Sequence, residues 1–406
     1  MPPQPRPPRS HWVRLIIAIY GPTLVASIGF GAVVPLIAVQ ATVLHASVGV
    51  AAAITALPGL AMLLFDLPAG AIAARLGEKL SIILACLVDA AMLLAVFWAT
   101  SLPVLATAVF IHGMTGSIFG LARQTYATEA IPLRWRARGM SSLGGVFRIG
   151  GFLGPLAASA ILSRGEVAHA FAFGALTSLL AALVTLVLPD LPTDRRAQRD
   201  ADGNRAHTRS VLHRHRRSLL TLGLGCLGLM MMRSSRQTLV PLWAHQAGFS
   251  PADVSLLYAL SMAFDVVLFL PGGAIMDRFG RWWVCVPTMF ALAVCMLVLP
   301  FTTTYLQVGI VAVLLGIGNG VSSGIVLTLG ADASPGFGRA QFLAGWRLLA
   351  DGGTLAGPAI IAGVAALTGL AVSSWVIGGL GLLGGYWLAR WVPRNPEQLA
   401  AIRPTE

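Results

Sequence analysis

The sequence predicts an all-α polytopic membrane protein, with twelve transmembrane helices in two six-helix bundles related by a pseudo-two-fold axis. Three observations predict this class: the composition, the spacing of apolar segments and an internal repeat. Of 406 residues, 56% are hydrophobic and 11% are charged, and the mean hydropathy is +0.78. Because soluble domains carry roughly 25% charged residues, the composition excludes a water-soluble enzyme.

Twelve apolar segments follow one another, each near the length of about 20 residues that crosses a bilayer. The connections after segments 1, 3, 9 and 11 contain no Lys or Arg, whereas most arginines lie in connections on the other side. Because positive side chains favour the cytoplasmic side, we expect both termini in the cytoplasm. The predicted spans 1 to 12 are 13–38, 47–73, 80–99, 103–128, 140–163, 168–189, 218–243, 253–276, 283–302, 306–330, 341–366 and 370–391.

A polar segment at 190–217 divides the chain into two hydrophobic halves. It holds eight arginines and four aspartates, which favours a cytoplasmic basic linker between domains. The N-terminal bundle is therefore predicted at 13–189 and the C-terminal bundle at 218–391. The Pro-rich residues 1–12 are predicted to be a disordered cytoplasmic N-terminus, and 392–406 a cytoplasmic tail.

The two halves repeat each other at a constant offset. Pro271 follows Pro68, and Gly280 follows Gly77, by the same 203 residues. Because each half has six spans, both halves keep the same orientation in the membrane, and the axis that relates them runs along the membrane normal. Carriers built in this way hold their substrate near the bilayer midplane, between the halves.

Short motifs recur at this offset, in the turns after spans 2 and 8 and within spans 5 and 11. The motif at the turn after span 2 contains Gly70, Arg75 and Gly77, and the motif at the turn after span 8 contains Gly273, Asp277, Arg278, Gly280 and Arg281. A GxxxGP motif lies in span 5, at Gly150, Gly154 and Pro155, and in span 11, at Gly353, Gly357 and Pro358. On these motifs, residues 13–391 resemble the major facilitator superfamily. The resemblance implies alternating-access transport, and the GxxxGP motif is similar to the signature of its proton-coupled drug antiporters.

The turn motif predicts contacts that hold the cytoplasmic side shut. Its carboxylate and guanidinium can stabilise neighbouring helix ends through the helix dipole. Asp332 is the expected partner of Arg281, and Glu129 is the expected partner of Arg75; a static orientation of the loop is the alternative. The GxxxGP motif combines close helix contact through glycine with a bend at proline, and close packing alone is its alternative.

Charged residues within the spans predict contacts between the halves. The resemblance implies that span 2 packs on span 11 and span 5 on span 8, so we expect Asp66 to pair with Arg347 and Arg148 with Asp265. Asp351 lies one helical turn beyond Arg347 and can share it. A proton on an aspartate would cancel the attraction and favour separation of the halves. The alternative is that these pairs only make buried charges tolerable.

Span 7 contains a polar run from 233 to 238 that is predicted to line the substrate cavity. Arg233 and Arg236 share a helical face, and Gln237 lies beside them. Two arginines suit an anionic or carbonyl-rich substrate. The alternative is that one arginine pairs with a helix carbonyl.

Spans 3 and 4 hold three further polar candidates. His112 precedes Gly116 by four residues, where many antiporters of the superfamily carry an arginine. It is a candidate cavity residue that titrates near neutrality, and the alternative is a core histidine whose hydrogen bonds are satisfied. Asp89 and Arg123 are expected to form a structural ion pair.

These features together predict a secondary active transporter that works by alternating access. The resemblance favours proton-coupled export of a small organic or drug-like compound. The alternatives among transporters are a symporter or uniporter for a sugar or metabolite, and a lipid flippase. The alternatives outside this class are a membrane enzyme and a non-transporting sensor. The GxSxG pattern at 320–324 lies in a helical span, whereas a nucleophile elbow needs a strand–turn–helix context, so no enzyme is expected.

The expected partners are a small-molecule substrate, protons and the lipid bilayer. No metal or cofactor is expected, and the proton gradient is the expected energy source. The net charge of +12 is spread over connections between spans and does not form one basic face, so no nucleic-acid partner is expected. The chain is expected to be a monomer in the bacterial cytoplasmic membrane.

Overall fold

The computed structural model describes residues 9–131, 135–187, 205–335 and 338–394. Within these ranges the chain forms helices and no strands. Twelve of the described helices are long and apolar enough to cross a membrane. The predicted fold class is confirmed.

The twelve spans keep their numbers here and have the following bounds. Span 1 runs Arg9–Val33, continues through a 3-10 turn at Val34–Leu36 and ends with Ile37–Val43; spans 2 to 6 are Val48–Leu76, Glu78–Phe97, Leu102–Ala130, Arg136–Leu162 and Ala168–Leu186. Span 7 is Leu224–Gln246, preceded by a π-turn at Leu219–Gly223; span 8 is Pro251–Phe279; span 9 is Trp282–Val298 with a 3-10 turn at Leu299–Phe301; span 10 is Tyr305–Val321 and Ile325–Ala333; spans 11 and 12 are Arg339–Leu367 and Leu370–Trp391.

Three segments differ from the prediction or lie beyond it. Residues 9–12 are helical, so the prediction of disorder is wrong for them, while 1–8 lie outside the described residues. Of the predicted linker, residues 190–204 lie outside as well, and Arg205–Arg214 forms a helix. Of the predicted tail, 395–406 lie outside.

Local sequence explains where spans 2 and 8 begin and end. Ser47 caps span 2 and Ser250 caps span 8, each accepting a backbone N–H of the first turn, where such donors have no partner inside the helix. Both spans stop at a glycine of the repeated turn motif, Gly77 with φ +83° and Gly280 with φ +97°. Residues that carry a side chain rarely adopt these backbone angles, so both turns require glycine.

The spans of each half pack mainly on one another, and the halves meet chiefly along spans 2 and 11 and along spans 5 and 8. We call the membrane face that holds the turns at Gly77 and Gly280 the terminal face, and the other face the opposite face. Spans 2 and 11 touch backbone to backbone: a Cβ on Gly49 would lie 2.9 Å from Cα of Ala366, and one on Gly59 would lie 3.0 Å from Cα of Leu355. The halves are therefore in close contact from the opposite face to mid-membrane.

Candidate functional site

A cavity of about 300 Å³ lies between the two halves. Spans 1 to 4 supply most of its wall, and a few residues of spans 5, 6, 7 and 11 complete it. The aromatic rings of Phe30, Phe119 and Phe147 and the thioether of Met62 make much of the wall apolar. A small cavity of this kind, with a few polar groups, is typical of a site for a small organic molecule.

The polar centre of the cavity is a pair formed by Asp89 and His112. Nδ1 of His112 lies 2.6 Å from Oδ1 of Asp89, which also accepts the hydroxyl of Thr115 at 3.0 Å. The hydroxyl of Ser178 donates to the second carboxylate oxygen at 2.6 Å. Nε2 of His112 is buried and has no partner among the described residues. Asp89 is therefore fully engaged, whereas His112 keeps one ring nitrogen for a ligand or a proton.

The expected ion pair between Asp89 and Arg123 is not formed, and that prediction is wrong. Residues 98–101 connect spans 3 and 4, so counting from this loop identifies residues of the two spans that lie at the same depth in the membrane. Asp89 lies eight residues before Phe97 and His112 ten residues after Leu102, which is about 12 and 15 Å from the loop, whereas Arg123 is about 31 Å away. This count, applied to the sequence, would have selected His112 as the partner.

Arg123 instead lies between two aromatic rings at the cavity wall. Its guanidinium carbon is 5.7 Å from the ring centre of Phe119 and 5.5 Å from that of Phe147. Nε and Nη1 of Arg123 are buried and have no hydrogen-bond partner among the described residues. The rings stabilise the cation through their π-faces, but they accept none of these N–H groups.

Arg233 and Arg236 do not line the cavity, so their prediction as cavity residues is wrong. Nη2 of Arg233 donates to the backbone oxygen of Ser322 at 2.6 Å and to its hydroxyl at 2.9 Å, where span 10 is interrupted. Arg236 is buried and donates to the hydroxyl of Ser261 at 3.1 Å. Gln237 does line the cavity. Residues 233 and 236 each precede a cavity-facing position by one residue, which turns them by about 100° toward spans 8 and 10.

The structure brings Asp66 and Arg347 together across the halves. Nε of Arg347 lies 2.8 Å from Oδ2 of Asp66, and the hydroxyl of Ser117 donates to the other carboxylate oxygen. Asp351 lies 3.7 Å from the same Nε. The side chain of Arg347 is 45% exposed, so this pair is open to its surroundings.

Arg148 and Asp265 also form a pair across the halves, between spans 5 and 8. Asp265 accepts Nδ2 of Asn319 on its second oxygen, and Nη2 of Arg236 is 3.9 Å away. The guanidinium of Arg148 lies over the ring of Phe269 at 5.1 Å. The Asp265 side chain is only 4% exposed, so this pair is enclosed.

The turn motif of the second half makes one of its predicted contacts. Nε of Arg281 donates to Oδ2 of Asp332 at 2.9 Å. Asp277 and Arg278 are exposed, and contacts from them to neighbouring helix ends stay a prediction. Arg75 and Glu129 are also exposed, and their pairing stays a prediction.

The glycines of the GxxxGP motifs lie where spans pack too closely for a side chain. A Cβ on Gly150 or Gly154 would collide with span 1, and one on Gly353 or Gly357 would collide with span 7. Pro155 and Pro358 lie inside spans 5 and 11, and Pro358 also contributes to the cavity wall. In this conformation the motifs serve close packing within each half. Gly70 and Gly273, by contrast, have room for a methyl group.

Among the described residues, no group of three or more His, Cys, Asp or Glu side chains is placed to hold a metal ion. The arrangement provides a ligand cavity between two bundles, with one imidazole nitrogen of His112 and two guanidinium nitrogens of Arg123 that have no hydrogen-bond partner among the described residues. Ionic contacts between the halves lie beside it.

The sequence profile of the Major Facilitator Superfamily matches residues 23–341 and, in a second match, 224–406. The chain therefore belongs to the major facilitator superfamily, and it is a multi-pass membrane transporter and not an enzyme. No curated protein matches the chain at a significant level.

Solved structures of three transporters have the same fold. A peptide transporter, POT, superposes with a TM-score of 0.76 at 12% identity, covering 95% of both chains. The nucleoside transporter NupG gives 0.76 at 14% identity, covering 93% of this chain and 99% of NupG. A D-xylose-proton symporter gives 0.70 at 16% identity, covering 93% and 98%. At these identities the likeness concerns the fold alone.

Proposed function

We propose that the chain is a proton-coupled secondary transporter that exports a small organic, drug-like compound in exchange for protons. The observation that carries the proposal is the set of two ionic contacts, Asp66 with Arg347 and Arg148 with Asp265, that join the halves. Charged groups at membrane depth are costly. Here they lie where the halves must separate for the cavity to open.

Protonation of Asp66 supplies a way to weaken the contact. Its partner Arg347 is half-exposed, so a proton can reach the pair from the terminal face. A neutral Asp66 no longer attracts the guanidinium, which favours the state in which spans 2 and 11 separate at that face. Asp351, close to Arg347, offers the released guanidinium another carboxylate.

Exchange requires that the proton and the substrate compete, and the cavity offers a group where they would. Because Nδ1 of His112 faces the carboxylate of Asp89, Nε2 is an acceptor in the neutral ring and a donor in the protonated ring. A proton and a hydrogen-bond donor of the substrate cannot occupy Nε2 together. Mutually exclusive binding at one site, combined with alternating access, results in exchange.

The cavity wall supports an organic, largely apolar substrate. Phe30 stacks on the ring of His112 at 5.7 Å between centres, and Phe119 and Phe147 lie further along the same cavity. Aromatic walls with few polar groups bind compounds with apolar bodies, and the polar groups select their orientation.

Symport of a sugar or metabolite is the second candidate, and one contact favours it. The hydroxyls of Thr55 and Thr238 meet across the halves at 2.9 Å, and the amide of Gln237 also lies at the cavity wall. Hydroxyl and amide groups can exchange their mutual hydrogen bonds for bonds to a polyhydroxylated or amide-containing substrate. Peptide, nucleoside and xylose transporters have the same fold.

The proposal includes the setting of the protein. The arginine bias of connections at the terminal face supports a cytoplasmic location for both termini. We infer a monomer in a bacterial cytoplasmic membrane, with the proton gradient as the energy source and no further cofactor.

Flux in proteoliposomes tests the proposal. The purified full-length chain is reconstituted, a pH gradient is imposed, and organic cations, organic anions, neutral drugs, sugars and fluorescent lipids are offered. We expect an organic compound to move uphill in exchange for protons, and a protonophore to abolish this movement. Movement together with protons would establish symport instead, and lipid movement would establish a flippase.

Two aspartate variants test the coupling. Asp66→Asn and Asp265→Asn remove a protonatable group from each contact, so we expect both to lose gradient-driven transport and to keep substrate binding. Asp253→Asn at the other end of span 8 is the matched control, because the amide oxygen of Asn can still accept the backbone N–H of Ser250 that Asp253 accepts. Full pH-dependent transport by Asp66→Asn and Asp265→Asn would contradict the proposed coupling.

A further inference from the structure

Arg233 and Arg236 each have one buried N–H group without a partner among the described residues, but both donate to other groups, whereas Arg123 has two such groups and only aromatic contacts. Arg148 and Arg347 contact carboxylates across the halves, and Arg233 donates to a backbone oxygen. Arg123 lies between two phenylalanine rings, with Nε and Nη1 buried and unpaired. Because unpaired buried donors are costly, such groups in native proteins usually have a partner. Arg123 also belongs to the cavity wall, so a ligand in the cavity can be that partner.

Span 4 forms an open surface between Arg123 and His112. Gly116 and Gly120 lie on the same helical face, and no atom lies within 4 Å of the place where either Cβ would be. The rise from His112 to Arg123 along the helix is about 16 Å. An elongated molecule can therefore lie along the helix, with one end at the guanidinium and the other near the imidazole.

The side walls of this surface match an apolar body. Phe119 and Phe147 flank the Arg123 end, and Phe30 covers the His112 end. A glycine face gives a flat aromatic or aliphatic group close contact with the helix backbone. Among the described residues of the cavity wall, Arg123 has two buried N–H groups without a partner, and Nε2 of His112 adds an acceptor or a donor according to its protonation.

We propose that Arg123 binds an anionic group, in the simplest case a carboxylate, of the compound that the transporter moves. The parallel N–H groups of a guanidinium match the two oxygens of a carboxylate. The substrate class is then an amphipathic organic acid, with its charge at Arg123, its apolar body along Gly116 and Gly120, and a polar group near His112. This assignment rests on the proposed transport function.

Three probes with one skeleton test the assignment. The anion 4-phenylbutyrate, its neutral amide and the cation 4-phenylbutylamine are bound to the purified full-length protein in detergent by equilibrium dialysis. We expect the wild type to bind the acid at least tenfold more tightly than the amide or the amine. Arg123→Gln should abolish this preference and leave amide affinity unchanged, and Arg123→Lys should keep part of it.

Two further variants separate charge recognition from shape and from folding. Arg164→Gln, at an exposed arginine of the opposite face, should retain the acid preference. Gly120→Leu fills the surface of span 4, so it should weaken acid and amide binding by the same factor. Arg123→Lys and Arg123→Gln are accepted as folded only if they elute as the wild type does in size-exclusion chromatography.

The outcomes distinguish this inference from the proposed function. A wild type without acid preference, or an unchanged preference in Arg123→Gln, overturns the role of Arg123 even if proteoliposomes move other compounds against a pH gradient. An acid preference that depends on Arg123, without gradient-driven flux of any compound, upholds the binding site and overturns the proposed exchange.

Discussion

At the scale of single residues, the partner of each buried arginine indicates its task. Arg233 contacts the backbone oxygen of Ser322, at the point where span 10 changes from Tyr305–Val321 to Ile325–Ala333. An interrupted helix leaves carbonyl groups without their usual N–H partners, and in a membrane no water replaces them. Arg233 therefore stabilises an irregular segment of span 10 and is not expected to bind the substrate.

Arg233→Leu should lower stability and leave substrate affinity unchanged. Loss of a charged hydrogen bond to a buried oxygen costs about 2 kcal/mol, which thermal unfolding in detergent would register as a lower Tm. Gln237→Leu is the contrasting variant, because Gln237 lines the cavity; it should change substrate affinity with little effect on Tm. Weaker substrate binding by a folded Arg233→Leu protein would restore Arg233 as a substrate contact.

Residue identities were easier to predict than the directions of side chains. Asp66, Arg347, Arg148 and Asp265 were identified as partners, because the resemblance implies which spans pack across the halves and charged residues in a membrane are few. The sequence did not identify the surroundings of Arg123, since those depend on the rotation of span 4 about its axis. Hydropathy carries little information on rotation where a span is apolar all round.

At the scale of helices, spans 2 and 11 meet at three levels. Gly49 meets Ala366 near the opposite face, Gly59 meets Leu355 at mid-membrane, and the ionic contact of Asp66 follows toward the terminal face. The residue numbers of each pair add to nearly the same value, as expected for antiparallel helices in one register. Backbone contact therefore closes the opposite face, while a breakable ionic contact lies toward the terminal face.

Gly49→Leu should open the opposite face, because its side chain has no room against the backbone of Ala366. Cys86 at the cavity wall is the reporter, in a background where the other three cysteines are replaced by serine. A maleimide that does not cross the membrane should label Cys86 from the opposite face faster than in the parent protein. Gly363→Ala on span 11, at a site with open space, is the control. Equal labelling in Gly49→Leu and the parent would show that this contact does not close the cavity.

Helix boundaries follow from sequence where a specific residue stops the helix. Span 12 was predicted at 370–391 and is Leu370–Trp391, and span 9 was predicted at 283–302 and is Trp282–Phe301 with its 3-10 turn. The interruptions at Val34–Leu36 and at 322–324 were not predicted. The first lies within continuous apolar sequence, and the second is a short Ser-Ser-Gly segment in a span whose mean hydropathy stays high.

At the scale of the whole molecule, the two halves are alike in fold but differ in the contacts between them. The cavity wall comes mostly from spans 1 to 4, so the first half holds most of the candidate binding groups. The ionic contacts differ too, since Arg347 and Asp66 are 45% and 15% exposed, whereas Arg148 and Asp265 are 21% and 4% exposed. The repeat predicts similar contacts on both sides of the axis, and their different burial arises from side chains that the repeat does not share, such as Asn319 and Arg236 beside Asp265.

This difference predicts unequal effects of the same charge change at the two contacts. Arg148→Gln leaves the enclosed Asp265 without its main partner, and loss of one member of a buried pair costs about 3–5 kcal/mol. Arg347→Gln removes a half-exposed partner, and contacts of that kind contribute about 1 kcal/mol or less. Thermal unfolding in detergent should therefore show a much larger drop in Tm for Arg148→Gln, whereas labelling of Cys86 from the terminal face should rise in Arg347→Gln with little loss of Tm.

Equal Tm losses in the two variants would show that both contacts hold the halves together in the same way, and that neither is adapted to break. The expected inequality would assign the enclosed contact to stability and the exposed contact to opening.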